Sequence, residues 1–256
     1  MYNNIFDSHA HYDDESFSED LSSLLSSMPS KGVTGIVNCA TDINSCKKCA
    51  AISENYNNIY FAAGIHPHEA QDVPEDFIQK LAEFSKHQKC VAIGEIGLDY
   101  HYDFSPREIQ KDVFEKQLIL AKELQLPVII HDREAHEDTM NLLKKYKPKG
   151  IVHCFSGSVE MAKETVKLGL LIGLGGAVTF KNAKKPVEVA KYVPLESLVL
   201  ETDCPYMTPV PFRGKRNDSS LISYTADFIA ELKGLSVQEL IDITTENSKR
   251  IFGINE

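Results

Sequence analysis

Ile5-Phe6-Asp7-Ser8-His9-Ala10-His11 is a short apolar run that ends in two histidines, and four other runs of the chain share its form. They are Val91-Ala92-Ile93-Gly94-Glu95, Val128-Ile129-Ile130-His131, Ile151-Val152-His153 and Leu198-Val199-Leu200-Glu201-Thr202-Asp203. Each is an apolar stretch of strand length closed by a group that can coordinate a cation. Three more apolar segments, Gly35-Ile36-Val37-Asn38-Cys39-Ala40, Ile59-Tyr60-Phe61-Ala62-Ala63-Gly64 and Leu170-Leu171-Ile172-Gly173-Leu174, bring the count to eight strands.

Between the strands lie segments with helical spacing, such as Phe77, Ile78, Leu81 and Phe84, or Val113, Phe114, Gln117, Leu118 and Ala121 with Leu124 continuing the stripe. Strand followed by helix, repeated, calls for parallel pairing. Ser158 stands where a helix cap belongs, Pro106 sits at the first turn of a long helix, and Pro127 and Pro148 mark helix exits. Two amphipathic segments, Tyr224 to Leu232 and Val237 to Ile251, would complete an outer ring. The reading is an α/β fold, a single (β/α)8 TIM barrel over residues 1–256. An open doubly wound sheet is the alternative, but no glycine-rich dinucleotide turn follows the first strand.

Hydrophobic residues make up 43% of the chain and charged residues 25%, enough apolar surface for a large core. Order is expected everywhere except the last few residues. The start, Met1-Tyr2-Asn3-Asn4, carries no leader pattern and no apolar stretch is long enough to span a bilayer, so a cytoplasmic protein is expected. Six dispersed cysteines predict reduced thiols. Cys46-Lys47-Lys48-Cys49 has zinc-like spacing but lacks a second pair and falls in a predicted helix. The formal net charge of −10 opposes a broad non-specific grip on nucleic acid, while leaving room for a local phosphate site.

Residues two apart in a strand share a face, so His9 and His11 should reach one ion together. Parallel strands in a barrel would bring His9, His11, Glu95, His131, His153 and Asp203 to one mouth, where such barrels place their chemistry. A lone buried histidine is more often a core residue than a ligand; six convergent groups reverse those odds. Mixed imidazole and carboxylate ligation suits zinc, manganese, cobalt or iron, with magnesium less well matched. Asp7 shares a face with His9 and is a candidate partner for it.

The chain resembles the TatD family of metal-dependent deoxyribonucleases, within the amidohydrolase-like barrels. The likeness runs nearly end to end. It is carried by Phe6-Asp7-Ser8-His9-Ala10-His11, Gly64-Ile65-His66-Pro67-His68, Ile93-Gly94-Glu95-Ile96-Gly97-Leu98-Asp99-Tyr100, His131-Asp132-Arg133-Glu134-Ala135, His153-Cys154-Phe155-Ser156-Gly157, Glu201-Thr202-Asp203 and Arg213-Gly214-Lys215-Arg216-Asn217. The resemblance implies two divalent cations per chain. His9, His11, Glu95 and Asp203 would hold one, and Glu95, His131 and His153 the other, with Glu95 as bridge. Glu95 and Asp203 are then the catalytic carboxylates. Asp203 is expected both to ligate and to take the proton from the attacking water.

For the substrate, the expectations are His66, Arg133, Arg213 and Lys215. Arg133 offers a planar fork for a phosphate oxygen. The loops Phe180-Lys181-Asn182-Ala183-Lys184-Lys185 and Phe212-Arg213-Gly214-Lys215-Arg216 mix cations with rings, as a single strand requires. Asp218-Ser219-Ser220 stands where a Glu-Pro pair is common in the family, a departure expected to alter the substrate loop and leave the ligands untouched.

The leading expectation is a deoxyribonuclease acting on DNA, with single-stranded or frayed 3′ ends as substrate and 3′ to 5′ direction taken from the family. A hydrolase of a small ester, lactone or amide, or an aminoacyl-tRNA deacylase, is the alternative, since similar barrels use the same cations on carbonyls. A non-catalytic partner protein is the third class, and the full ligand set speaks against it. The oligomeric state is left open, and a monomer is compatible with the chain.

Overall fold

The computed structural model describes residues 2–254. The last two residues, within the tail where disorder is expected, lie outside them. Eight parallel strands, β1 (Ile5–Ala10), β2 (Val33–Cys39), β3 (Ile59–Ala63), β4 (Cys90–Asp99), β5 (Val128–Arg133), β6 (Gly150–Val152), β7 (Leu171–Leu174) and β8 (Leu198–Leu200), lie side by side in chain order. The ring closes just beyond β8, where Ala10 bridges Cys204. His11 N–H donates to the Cys204 carbonyl at 2.8 Å and Asp203 N–H to the His9 carbonyl at 3.0 Å. The closing segment is therefore also the one that carries Asp203. This is the (β/α)8 barrel.

Nine α-helices accompany the strands among the described residues: α1 (Leu21–Ser27), α2 (Ile43–Asn55), α3 (Phe77–Phe84), α4 (Arg107–Leu124), α5 (His136–Tyr146), α6 (Val159–Lys167), α7 (Lys184–Tyr192), α8 (Ile222–Lys233) and α9 (Val237–Phe252). Their ends follow local chemistry. Ser158 caps α6 by accepting from Met161 N–H. Ser236 caps α9 by accepting from Glu239 N–H, Lys249 and Arg250 sit in its last turn, and Gly253 leaves it at φ 65°. Pro106 lies one residue outside α4 rather than in its first turn. No helix among the described residues is long and apolar enough to cross a membrane.

The core divides in two, as strand alternation requires. Ile36, Phe61, Ile93, Ile130, Val152, Ile172 and Leu198 pack outward against the helices. Phe6, Val37, Ala62, Ala92, Ile129, Ile151, Leu171 and Val199 form a separate interior cluster joined by Phe252. Phe252 stacks on Phe6 with ring centroids 6.3 Å apart, so the end of α9 plugs the barrel floor instead of only extending the outer ring. Gly35 makes this possible, because a Cβ there would sit 2.3 Å from the Phe6 ring.

Two strands run on past the group expected to close them. β4 continues four residues beyond Glu95 and β5 two beyond His131, pairing Gly97 with His131, Leu98 with Asp132 and Asp99 with Arg133. The register shifts between Ile93 and Ile96, which sets Glu95 off the regular ladder and turns it to the mouth. All six cysteines are free thiols, and Cys46 and Cys49 are fully buried in the packing of α2.

Candidate metal centre

All six expected ligands meet at the carboxyl ends of the strands. Glu95, 2% exposed, stands at the centre with its two oxygens turned to different neighbours. Oε2 lies 3.3 Å from His9 Nε2 and 3.4 Å from His11 Nε2. Asp203 Oδ1 completes that side at 3.6 Å from His9 Nε2 and 3.4 Å from His11 Nε2. Oε1 lies 2.9 Å from His131 Nδ1 and 2.8 Å from His153 Nε2. The two His nitrogens on this side are 3.3 Å apart.

These spacings fit a cation. First-row divalent ions hold nitrogen and oxygen at about 2.0–2.2 Å, which puts ligand atoms on one ion roughly 3–3.5 Å from one another. The charge balance agrees. Burial disfavours a cationic imidazole, yet Asp203 and Glu95 raise His11 well above its ordinary pKa and Glu95 does the same to His153. Burial likewise works against ionised Glu95, but His153 and His9 hold its carboxyl well below the usual range. A pocket that concentrates positive charge against burial would replace those protons by a metal ion.

Neighbouring groups orient the ligands. His11 Nδ1 lies 2.8 Å from the Cys39 carbonyl, which can only accept, so the ring proton sits there and Nε2 keeps its lone pair for the centre. His131 Nε2 lies 3.1 Å from Asp99 Oδ2, leaving Nδ1 free to ligate. Asp99 takes His68 Nε2 on the same oxygen at 3.0 Å, and the N–H groups of His101 and Tyr102 on the other. His68 is thus a supporting residue. Asp7 does not reach the His9 ring. It accepts from the backbone of His9 and from both the backbone and hydroxyl of Thr202, and so ties β1 to the closing segment.

Sequence reasoning passed over Asp99 and Glu201. Glu201 is fully buried, accepts from Cys154 N–H at 2.6 Å, and brings Oε1 to 3.7 Å from His153 Nδ1. Gly173 gives it room, since a Cβ would lie 2.4 Å from Glu201 Oε2. Both carboxylates were visible inside the quoted motifs, but nothing in the spacing separates a partner of a ligand from a surface acid.

Of the expected substrate groups, His66 lies deepest, with Nε2 3.6 Å from Glu95 Oε1. Its Nδ1 accepts from His68 N–H at 3.2 Å, and burial pushes its pKa well below the ordinary value. It is therefore a neutral ring with its proton on Nε2, a donor aimed at the centre. A cleft of about 860 Å³ opens above the cluster, and Arg133 forms part of its wall with Lys48, Tyr102, Tyr206 and Cys154.

Arg213 and Lys215, also expected at the substrate, do not line this cleft. The Arg213 guanidinium lies 3.8 Å over the Phe180 ring and donates to the Thr208 carbonyl, and Lys215 Nζ stands 5.6 Å over Phe212. Elsewhere in that motif Arg216 pairs with Asp20 at 2.6 Å, and buried Asn217 donates to the carbonyls of Thr202 and Tyr206, bracing the loop that carries Asp203. The departure at 218–220 also reaches further than expected. The Ser219 hydroxyl donates to Asp7 Oδ2 at 2.6 Å, within the strand that bears His9.

A barrel whose mouth gathers imidazoles and carboxylates around one buried glutamate is that of a metal-dependent hydrolase. The family model described as TatD related DNase matches residues 6–253. The "Uncharacterized metal-dependent hydrolase YabD" of Bacillus subtilis (strain 168) is 48% identical over 254 residues, covering 98% of this chain and 100% of its own. YcfH of Escherichia coli (strain K12), described in the same words, is 35% identical over 98% of this chain and 96% of its own. The crystal structure of YjjV, a TatD homolog from Escherichia coli K12, superposes over 100% of both chains with a TM-score of 0.93 at 33% identity. The chain belongs to the TatD family.

Proposed function

We propose that this chain is a cytoplasmic deoxyribonuclease in which His9, His11, Glu95, His131, His153 and Asp203 would hold two divalent cations, and that it removes nucleotides from single-stranded or frayed 3′ ends of DNA. The observation that carries the reading is the division of the ligands by Glu95, with His9 and His11 at Oε2, Asp203 beside those two imidazoles, and His131 and His153 at Oε1. Cations held there would supply Lewis acidity to the phosphoryl oxygens and acidify a water. The chain supplies the rest. Asp203 lines the cleft and has the most exposed side chain of the six ligands, at 18%, and its carboxylate would accept the proton of the attacking water. The Nε2–H of His66 donates to an oxygen of the phosphate. Arg133 clamps that group from the cleft wall with a planar fork suited to phosphate oxygens.

The test is to strip the protein with chelator, reload it with manganese, zinc or magnesium, and compare end-labelled single strands with a panel of esters and lactones, with Glu95→Ala as the contamination control. Stepwise nucleotide release that needs metal and disappears in Glu95→Ala supports the proposal. Metal-dependent ester or lactone turnover without nucleotide release overturns it in favour of a carbonyl hydrolase.

A further inference from the structure

A line of rings leads from the ligand cluster to solvent. His66 meets His131 edge to face at 4.5 Å between centroids, His68 meets His66 at 4.3 Å, and Phe104 meets His68 at 4.8 Å. Tyr102 then stacks on Phe104 at 5.3 Å and 24°. Tyr102 is 46% exposed and Phe104 60%, although each ring is fixed by its neighbours. Burial of apolar surface alone does not explain two large rings held in a defined orientation and left open to water. Arg133 sits against the same pair, with its guanidinium 4.7 Å over the Tyr102 ring. The rings expected to meet bases, Phe180 and Phe212, are instead engaged by Arg213 and by Tyr224.

We infer that Tyr102 and Phe104, on the loop between β4 and α4, form a stacking platform for the base next to the scissile phosphate. The inference rests on the proposed DNA substrate. Tyr102 belongs to the cleft wall and Phe104 extends the surface outward, so a strand whose phosphate reaches the cluster can lay its neighbouring base on the pair. Arg133 joins the two functions, because a guanidinium packed on a ring keeps its edge N–H groups free for a phosphate. A flat ring surface accepts any base, which gives selectivity for unpaired nucleotides and little for sequence. A base within a duplex is already stacked on both faces and cannot make this contact.

The probe is a single strand with 2-aminopurine as its last base, a 5′ fluorescein, and a phosphorothioate at the terminal linkage to suppress cleavage, bound to metal-loaded protein. Stacking quenches the 2-aminopurine, and anisotropy of the fluorescein reports binding independently. The wild type should bind with strong quenching. Tyr102→Leu/Phe104→Leu, which keeps apolar bulk and removes both ring faces, should lose the quenching and bind about tenfold more weakly. A strand ending in an abasic residue should bind wild type and variant alike, which shows that the fold and phosphate contact survive.

Binding without quenching, or equal quenching in the double variant, overturns the platform and leaves the DNA reading standing. Loss of abasic binding in Phe104→Leu alone also overturns it. A wild-type protein that neither binds nor cuts any strand with any of the cations removes the platform and the DNA reading together.

Discussion

Replacing Asp99 with alanine should weaken one cation site and spare the other. Asp99 is fully buried and its Oδ2 holds His131 Nε2 at 3.1 Å. That contact keeps the proton off Nδ1, the nitrogen facing Glu95 Oε1. A hydrogen bond to a charged group contributes roughly 1.5–3 kcal/mol. At about 1.4 kcal/mol per tenfold, its removal predicts about a 10- to 150-fold loss of affinity for the cation on the Oε1 side. The Oε2 side is oriented separately, through His11 and the Cys39 carbonyl, and should change less than about threefold. Titrating zinc into stripped protein against a chromophoric chelator resolves the two affinities. Asp99→Asn is the companion variant, since it can still accept the N–H groups of His101 and Tyr102 and so separates loss of the turn from loss of the His131 contact. Equal weakening at both sites, or no weakening, would refute the reasoning.

Asp203→Asn should retain both cations and lower kcat by about 10²–10⁴, the contribution of a general base; near-normal turnover with metals bound would remove the proton role. Arg133→Ala should raise KM for single strands at least tenfold, whereas Arg213→Ala and Lys215→Ala, outside the cleft, should change kcat/KM less than threefold. Phe252→Ala opens the barrel floor and should cost about 3 kcal/mol, or roughly 6–12 °C in Tm for a chain of this length, with kcat and KM unchanged because the mouth lies at the other end. Burial pushes the Cys46 and Cys90 thiols up to about 12, and burial together with nearby carboxylates raises that of Cys154. At pH 8 a disulfide reagent should therefore find no fast thiol in the native protein and six after denaturation; a single thiol reacting within seconds would contradict this.

The barrel was legible because strands buried on both faces must be apolar throughout, so each run shows itself and its end. The polar residue at each end then stands out, as His11, His153 and Asp203 do. Spacing conveys less where strands continue. Glu95 and His131 lie inside β4 and β5, and only the register shift after Ile93 explains why Glu95 faces the mouth. Partners formed across the chain leave no local trace. The bond from Ser219 to Asp7 spans 212 positions, and the ring contacts of Phe104 and His68 join two different loops. The Arg213 motif shows the same limit. Its cations look available in the sequence, and only the fold shows Arg213 packed on Phe180 and Arg216 paired with Asp20.

The most direct test of the account is anomalous scattering from crystals of the chain reloaded with manganese or zinc. The account predicts two peaks about 3.5–4 Å apart, one on each oxygen of Glu95, with His9, His11 and Asp203 around the first and His131 and His153 around the second. A single peak at full loading, or two peaks that Glu95 does not bridge, would contradict it.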